Sequence, residues 1–252
     1  MNGIKYFFRA TPDTTGFQSF GIAHLILILV TILGTYLIYI NKNNLRKDNR
    51  TYNLIKKVIG FTLLTQQIIL YLWYGITGYS SIKESLPLYN CRIAIICTAL
   101  ALLTNKKLFK NIAIYWGVYG GILSILVVEG DPFIFPHYTI VSFFVGHIFL
   151  LWGTVLILLV DRHELNKKSL KSILLFTNIY HLLLLIFDII TQSNYDYLVE
   201  APILQDKFGS LPQMIYSFLA IITFDILILL FHFIAGRILS KNMEYEEKVL
   251  AL

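Results

Sequence analysis

Seven continuous apolar windows limit what this chain can become: Phe20 to Ile40, Val58 to Tyr79, Leu86 to Leu103, Ile112 to Val128, Thr139 to Val160, Ser172 to Ile190 and Met214 to Ile234. Each is close to the ~20 residues a helix needs to cross roughly 30 Å of hydrocarbon. In lipid no backbone amide or carbonyl can go unpaired, so continuous apolar runs become helices, and the alternating pattern of a membrane strand is missing here. The expected fold class is all-α: a polytopic membrane protein whose residues 1–252 form one bundle of about seven transmembrane helices. Composition agrees, because 56% of the residues are hydrophobic and only 14% charged, outside the range of a soluble domain. The opening stretch "MNGIKYFFRATPDTTGFQSF" lacks the basic start, short apolar core and small-residue cleavage site of a secretory signal, so it is expected to be retained.

Lys and Arg predict the orientation. Sixteen of the 21 fall on one side: Lys42, Arg46, Lys47, Arg50, Lys56 and Lys57, then Lys106, Lys107 and Lys110, then Arg162, Lys167, Lys168 and Lys171, and finally Arg237, Lys241 and Lys248. The opposite side holds Lys5, Arg9, Lys83 and Lys207, while Arg92 lies within a helix. By the positive-inside rule the N-terminus is outside and the C-terminus cytoplasmic. The net charge of +6 is then anchoring charge facing anionic lipid, and no nucleic-acid partner is expected.

That topology sorts the polar residues by depth, at about 1.5 Å per residue. Cys91 falls roughly 6 to 8 Å below the outer surface and His147 about 10 to 13 Å, a difference that helix tilt can close. His24, His137, Asp188 and Arg92 share that outer third, whereas His181 and Asp225 lie near the midplane and His232 in the inner half. Ionised groups cost about 2.5 to 3.5 kcal/mol at bilayer depth, so the outer set marks an interior site opening outward. Arg92 can snorkel to headgroups or pair with Asp188, and its guanidinium would favour the thiolate of Cys91, which points 100° away into the bundle. Cys97, six positions on, occupies another face about 9 Å along the axis and cannot bridge to Cys91.

Each side chain also has a purely structural use. A membrane cysteine is often a small hydrophobe. His137, after a proline, can cap a helix, and His24 can bond a neighbouring helix. His181 and Asp225 suit interhelical hydrogen bonds, and His163 suits a solvated loop. His147, within "FFVGHIFLLWG", is the most expensive to leave unpaired. No H-x-x-x-H or H-E-x-x-H spacing occurs, so neither a metal nor another cofactor is expected. No G-x-S-x-G elbow points to a serine hydrolase, and no inverted repeat points to a transporter.

An ordered set of segments, "FQSFGIAHLI", "LPLYNC", "YWGVYGGILSILVVEGDPFIFPHYTIVSFFVGH" and "NYDYLVEAP", resembles the YwaF-type bacterial integral membrane proteins over nearly the whole chain. Their animal relatives are acyltransferases that place an acyl chain on ether lysophospholipids through a cysteine thioester. The resemblance implies that Cys91 is the acyl-accepting nucleophile, with His147 as its base and His137 as the other candidate. It puts His24, Asn194 and Tyr195 on motif positions, and with Asn90, Arg92 and Asp188 these are the candidate substrate-binding residues. Tyr89 stands where many members have His, and "VEGDP" replaces a threonine-proline pattern. The reading expected from sequence is acyl transfer from a phospholipid to a lysolipid or other lipid acceptor at the outer leaflet of a bacterial plasma membrane. Its alternatives are a non-catalytic lipid-binding or transport protein and a lipid hydrolase; donor, acceptor and oligomeric state stay open.

Overall fold

The computed structural model describes residues 3–202 and 208–250, with side chains to Ser240. All regular structure among them is helical: α1 Gly3–Phe7, α2 Ile22–Lys47, α3 Asn49–Thr77, α4 Asn90–Thr104, α5 Lys107–Leu126, α6 Tyr138–Leu159, α7 Lys167–Thr191, a 3₁₀ turn Tyr195–Tyr197, and α8 Gln213–Leu250. The seven apolar windows fall on α2 to α8, and the chain is a polytopic helical membrane protein. Helices α2, α3, α6, α7 and the Gln213–Ser240 part of α8 are each long and apolar enough to cross a bilayer. Lys207, and the side chains of Lys241 and Lys248, lie outside the described residues.

Helix α4 differs from its apolar window. It starts at Asn90 rather than Leu86 because Pro87 disfavours helical geometry at the preceding residue, and Tyr89 remains extended at φ −68°, ψ 137°. The helix has 15 residues, about 22 Å. Cys91 is therefore its second residue, at the very start of the first turn.

Two compact units divide the chain, Met1–His163 and Glu164–Leu252. In the first, α6 packs against α2, α3, α4 and α5, and α4 also packs against α3 and α5. Glycines permit the closest approaches. A Cβ on Gly153 of α6 would lie 2.6 Å from Thr98 Cγ2 and 3.2 Å from Leu102 Cδ1 on α4. Gly153→Val is accordingly expected to lower stability by about 1–3 kcal/mol through overpacking, read as an earlier thermal transition in detergent.

The ends of this unit are held differently. At one end Asp161 accepts hydrogen bonds from Tyr52 and Lys110, with Lys56 Nζ 3.9 Å away, and Arg46 donates to the Leu159 carbonyl at 2.6 Å. His163 is not simply solvated there; its Nε2 lies 2.8 Å from Asn111 Oδ1. Asp48 makes the corner between α2 and α3, its carboxylate capping the Arg50 and Thr51 amides at 3.1 Å.

At the other end the N-terminal segment is strapped over the bundle. Arg9 pairs with Asp13 and donates to the carbonyls of Ile134 and Pro136, and Asp13 accepts from the Ile134 amide at 2.8 Å. Trp73 Nε1 donates to the Phe8 carbonyl at 3.0 Å, Phe8 stacks on Tyr138, and His137 Nε2 lies 2.9 Å from the Arg9 carbonyl. The Ile134 amide and then Arg9 hold the Asp13 pKa below 3.8, and burial pushes His137 below 6.5. In both cases the undocked state takes up its proton first as pH falls, on His137 of the bundle and then on Asp13 of the strap, so docking weakens as pH falls below about 6.5 and again below 3.8. Amide exchange across residues 3–17, corrected for intrinsic rate, should be faster at pH 5 than at pH 7.5; equal protection would contradict this anchoring.

In the second unit α7 packs on α8. Asn178 Nδ2 donates to Asp225 at 3.0 Å, the interhelical glue expected of that acid. His181 Nε2 lies 3.5 Å from Asp196 Oδ2, both buried.

Candidate functional site

The start of α4 is built from three polar residues in a row. With Tyr89 as N-cap, Asn90, Cys91 and Arg92 form the first turn, at the positive end of the helix dipole. Asn90 is buried and Cys91 half-buried, and neither Cys91 nor Cys97 forms a disulfide.

Two adjacent glycines on α5 connect this turn to α6. A Cβ on Gly120 would sit 3.9 Å from both Cα and Cβ of Cys91, and one on Gly121 would sit 3.7 Å from the His147 carbonyl oxygen. Consecutive positions of one helix thus touch the cysteine on one flank and the histidine's backbone on the other. Helices α4 and α6 both begin at the strap end. His147 leans toward that end, because its Nδ1 bonds the Phe143 carbonyl one turn earlier at 2.7 Å.

That bond fixes the tautomer. A carbonyl can only accept, so Nδ1 carries the proton and Nε2 presents a lone pair. His147 is 4% exposed, and its Nε2 is buried without a hydrogen-bond partner among the described residues. The other two histidines of this unit's strap end are fully committed. His24 Nδ1 accepts from the Phe20 amide at 2.8 Å and Nε2 donates to the Ile125 carbonyl at 2.6 Å. His137 Nδ1 accepts from the Thr139 amide at 3.2 Å as the N-cap of α6, while Nε2 donates to Arg9 and the ring stacks on Phe133. Of the three, His147 alone retains an acceptor nitrogen.

Arg92 finds its partners inside its own unit. It donates to Tyr74 Oη at 3.2 Å and to the Ser85 carbonyl at 3.4 Å, and its guanidinium lies 5.6 to 6.0 Å from the ring centres of Tyr71, Tyr74 and Tyr89. Tyr74 in turn donates to Asp131 Oδ2 at 2.9 Å. Burial raises the Asp131 pKa, against the opposing pull of the Tyr74 hydrogen bond and the Arg92 charge. Cys91 and His147 both lie within electrostatic range of Arg92.

Sequence reasoning passed over Tyr71, Tyr74 and Gln67. They sit at i, i+4 and i+7 on α3, one polar stripe on an apolar helix, and that spacing was the available signal. Gln67 Oε1 is buried without a hydrogen-bond partner among the described residues, and the Tyr71 hydroxyl is buried beside the Arg92 guanidinium.

Asp188, Asn194 and Tyr195 belong to the second unit. Asp188, wholly buried, accepts from Ser193 Oγ at 2.6 Å. Asn194 organises its loop, accepting from the Val199 and Glu200 amides and donating to the Glu200 carbonyl. Tyr195 is buried against Phe187. Among the described residues no group of three or more His, Cys, Asp or Glu side chains is placed to hold a metal ion.

Residues 19–242 match the family described as TMEM164. The strap of residues 3–17 precedes the matched span. Neither the curated proteins nor the solved structures searched contain a match to the chain.

Proposed function

From the premise that this chain belongs to the TMEM164 family, we propose that it is a membrane acyltransferase that moves a fatty acyl chain from a phospholipid to a lysolipid or other lipid acceptor through a thioester on Cys91. The observation that carries this reading is the unpartnered, buried Nε2 of His147, on a ring anchored through Nδ1–H and on a helix that Gly120 and Gly121 of α5 link to the turn bearing the half-buried Cys91. An anchored imidazole with one open lone pair is what a thiol needs to lose its proton, and burial makes the vacancy costly unless a proton donor visits it.

The chemistry runs in two balanced halves. His147 Nε2 takes the Cys91 proton as Sγ attacks the ester carbonyl; the C–O bond then breaks, and the departing lysolipid oxygen leaves with that proton. In the second half Nε2 takes the proton of the acceptor hydroxyl, whose oxygen attacks the thioester, and the thiolate departs and recovers the proton. The positive end of α4 stabilises the negative charge that develops on the carbonyl oxygen. His24 and His137 hold helices in register, and Asn90 supports substrate binding.

The finer affiliation follows the sequence resemblance: a YwaF-type protein of a bacterial plasma membrane, N-terminus outside, with seven crossings and the site in the outer leaflet. Purified protein given a phospholipid labelled in its acyl chain, with and without lysolipid, separates the options. Labelled phospholipid formed from the lysolipid supports transfer, labelled free fatty acid alone points to a hydrolase, and saturable binding without either product would refute the enzyme reading.

A further inference from the structure

Arg92 is a half-buried guanidinium at the start of α4, held by two hydrogen bonds to neutral oxygens. Its two hydrogen bonds are long, at 3.2 and 3.4 Å, and no carboxylate lies within ion-pair distance of it among the described residues. Asp131 is bridged to it by the Tyr74 hydroxyl, which donates to Asp131 and so meets Arg92 as an acceptor alone. Beside the guanidinium the Tyr71 hydroxyl is buried with Arg92 as its polar neighbour, an arrangement in which its oxygen faces a donor and its O–H is left to donate elsewhere. The first-turn amides of α4 add the positive end of a 15-residue helix. Donors therefore converge here around a half-buried cation, and a guanidinium withdrawn from water with no carboxylate at ion-pair distance favours an anionic partner.

We infer that Arg92 and Tyr71 together form a receptor for a phosphate group, the phosphodiester of a phospholipid whose ester lies at Cys91. The planar guanidinium suits phosphate because it offers paired N–H donors, and the Tyr71 hydroxyl supplies one more; the tyrosine faces around Arg92 restrict its orientation. Cys91 and Arg92 are consecutive residues of one helix turn, so a lipid whose phosphate is held by Arg92 presents its glycerol esters to the thiol. This deepens the acyl-transfer reading, and rests on it only for which lipid delivers the phosphate. It also gives Tyr71, outside every motif, a defined task.

The test separates binding from chemistry. Full-length Cys91→Ala protein in a neutral detergent is titrated with a dialkyl ether phosphatidylglycerol, which has no ester to cleave, and with the matching dialkylglycerol, which has no phosphate. The phospholipid should bind at least about tenfold more tightly, with Arg92→Gln erasing the difference and Tyr71→Phe, which removes one oxygen, reducing it several-fold. Inorganic phosphate at millimolar concentration distinguishes the source: failure to displace the phospholipid supports a lipid phosphate, whereas full displacement would overturn the lipid assignment in favour of a free-anion site. Equal affinity for the two lipids, or a phosphate preference intact in folded Arg92→Gln protein, would overturn the inference even if acyl transfer is established. Absence of acyl transfer by the wild-type protein, with the phosphate preference intact in the Cys91→Ala background, would instead remove the enzyme reading and leave the receptor standing.

Discussion

Cys91→Ala protein is expected to fold, insert and bind phospholipid, yet to lose acyl transfer by at least about 10³-fold, because the proposed path has no other atom on which to park the chain. The change removes one half-buried sulfur at a helix start, so the cost in stability is about 1 kcal/mol or less. Loss of activity at an unchanged thermal transition is therefore the signature of a missing nucleophile rather than a damaged bundle. Cys91→Ser sharpens the result: any adduct it forms is an oxygen ester, which resists neutral hydroxylamine, whereas the wild-type thioester is cleaved by it. Cys97→Ala serves as the control. That thiol is buried on a different face of α4 and is expected to retain full transfer.

His147→Gln is expected to cut transfer by about 10²- to 10⁴-fold, the ordinary value of a positioned general base. Glutamine can still donate to the Phe143 carbonyl, so it keeps the anchoring bond but offers no basic nitrogen. His137→Gln tests the contrast. Both His137 nitrogens are already spent, on the Thr139 amide and the Arg9 carbonyl, so its loss should lower stability by about 1–2 kcal/mol while the folded protein keeps its rate within a few-fold. Rate per folded molecule and thermal transition, measured on the same two variants, place each histidine. If His137→Gln loses the chemistry while His147→Gln keeps it, the base has been assigned to the wrong ring.

The helical architecture was legible in the chain because each window's length and continuity reflect a single physical demand, the pairing of backbone groups in hydrocarbon. The start of α4 was less so, since an apolar window cannot register the turn that Pro87 imposes inside it. The strap was invisible: it is made of pairs such as Asp13 with the Ile134 amide and His137 with the Arg9 carbonyl, more than a hundred residues apart. Histidines look alike in a sequence. What separates His147 from His24 and His137 is which ring nitrogens are already bonded, a property of neighbouring carbonyls and amides rather than of local composition. Arg92 likewise could be read as snorkelling or pairing with an acid, and only the fold of α3 against α4 reveals a cage of tyrosines around it. Asp131 had shown only as a departure from a motif, in "VEGDP"; its bond from Tyr74 gives that departure a physical meaning.

The most direct measurement is the intact mass of the purified protein after brief exposure to a phospholipid of defined acyl chains, followed by peptide mapping. The account predicts an increment of one acyl chain, carried by the peptide containing Cys91 and discharged when lysolipid is added. Acyl transfer that proceeds at full rate while the Cys91 peptide remains unmodified, or an adduct mapped to another residue that turns over as fast as product forms, would contradict it.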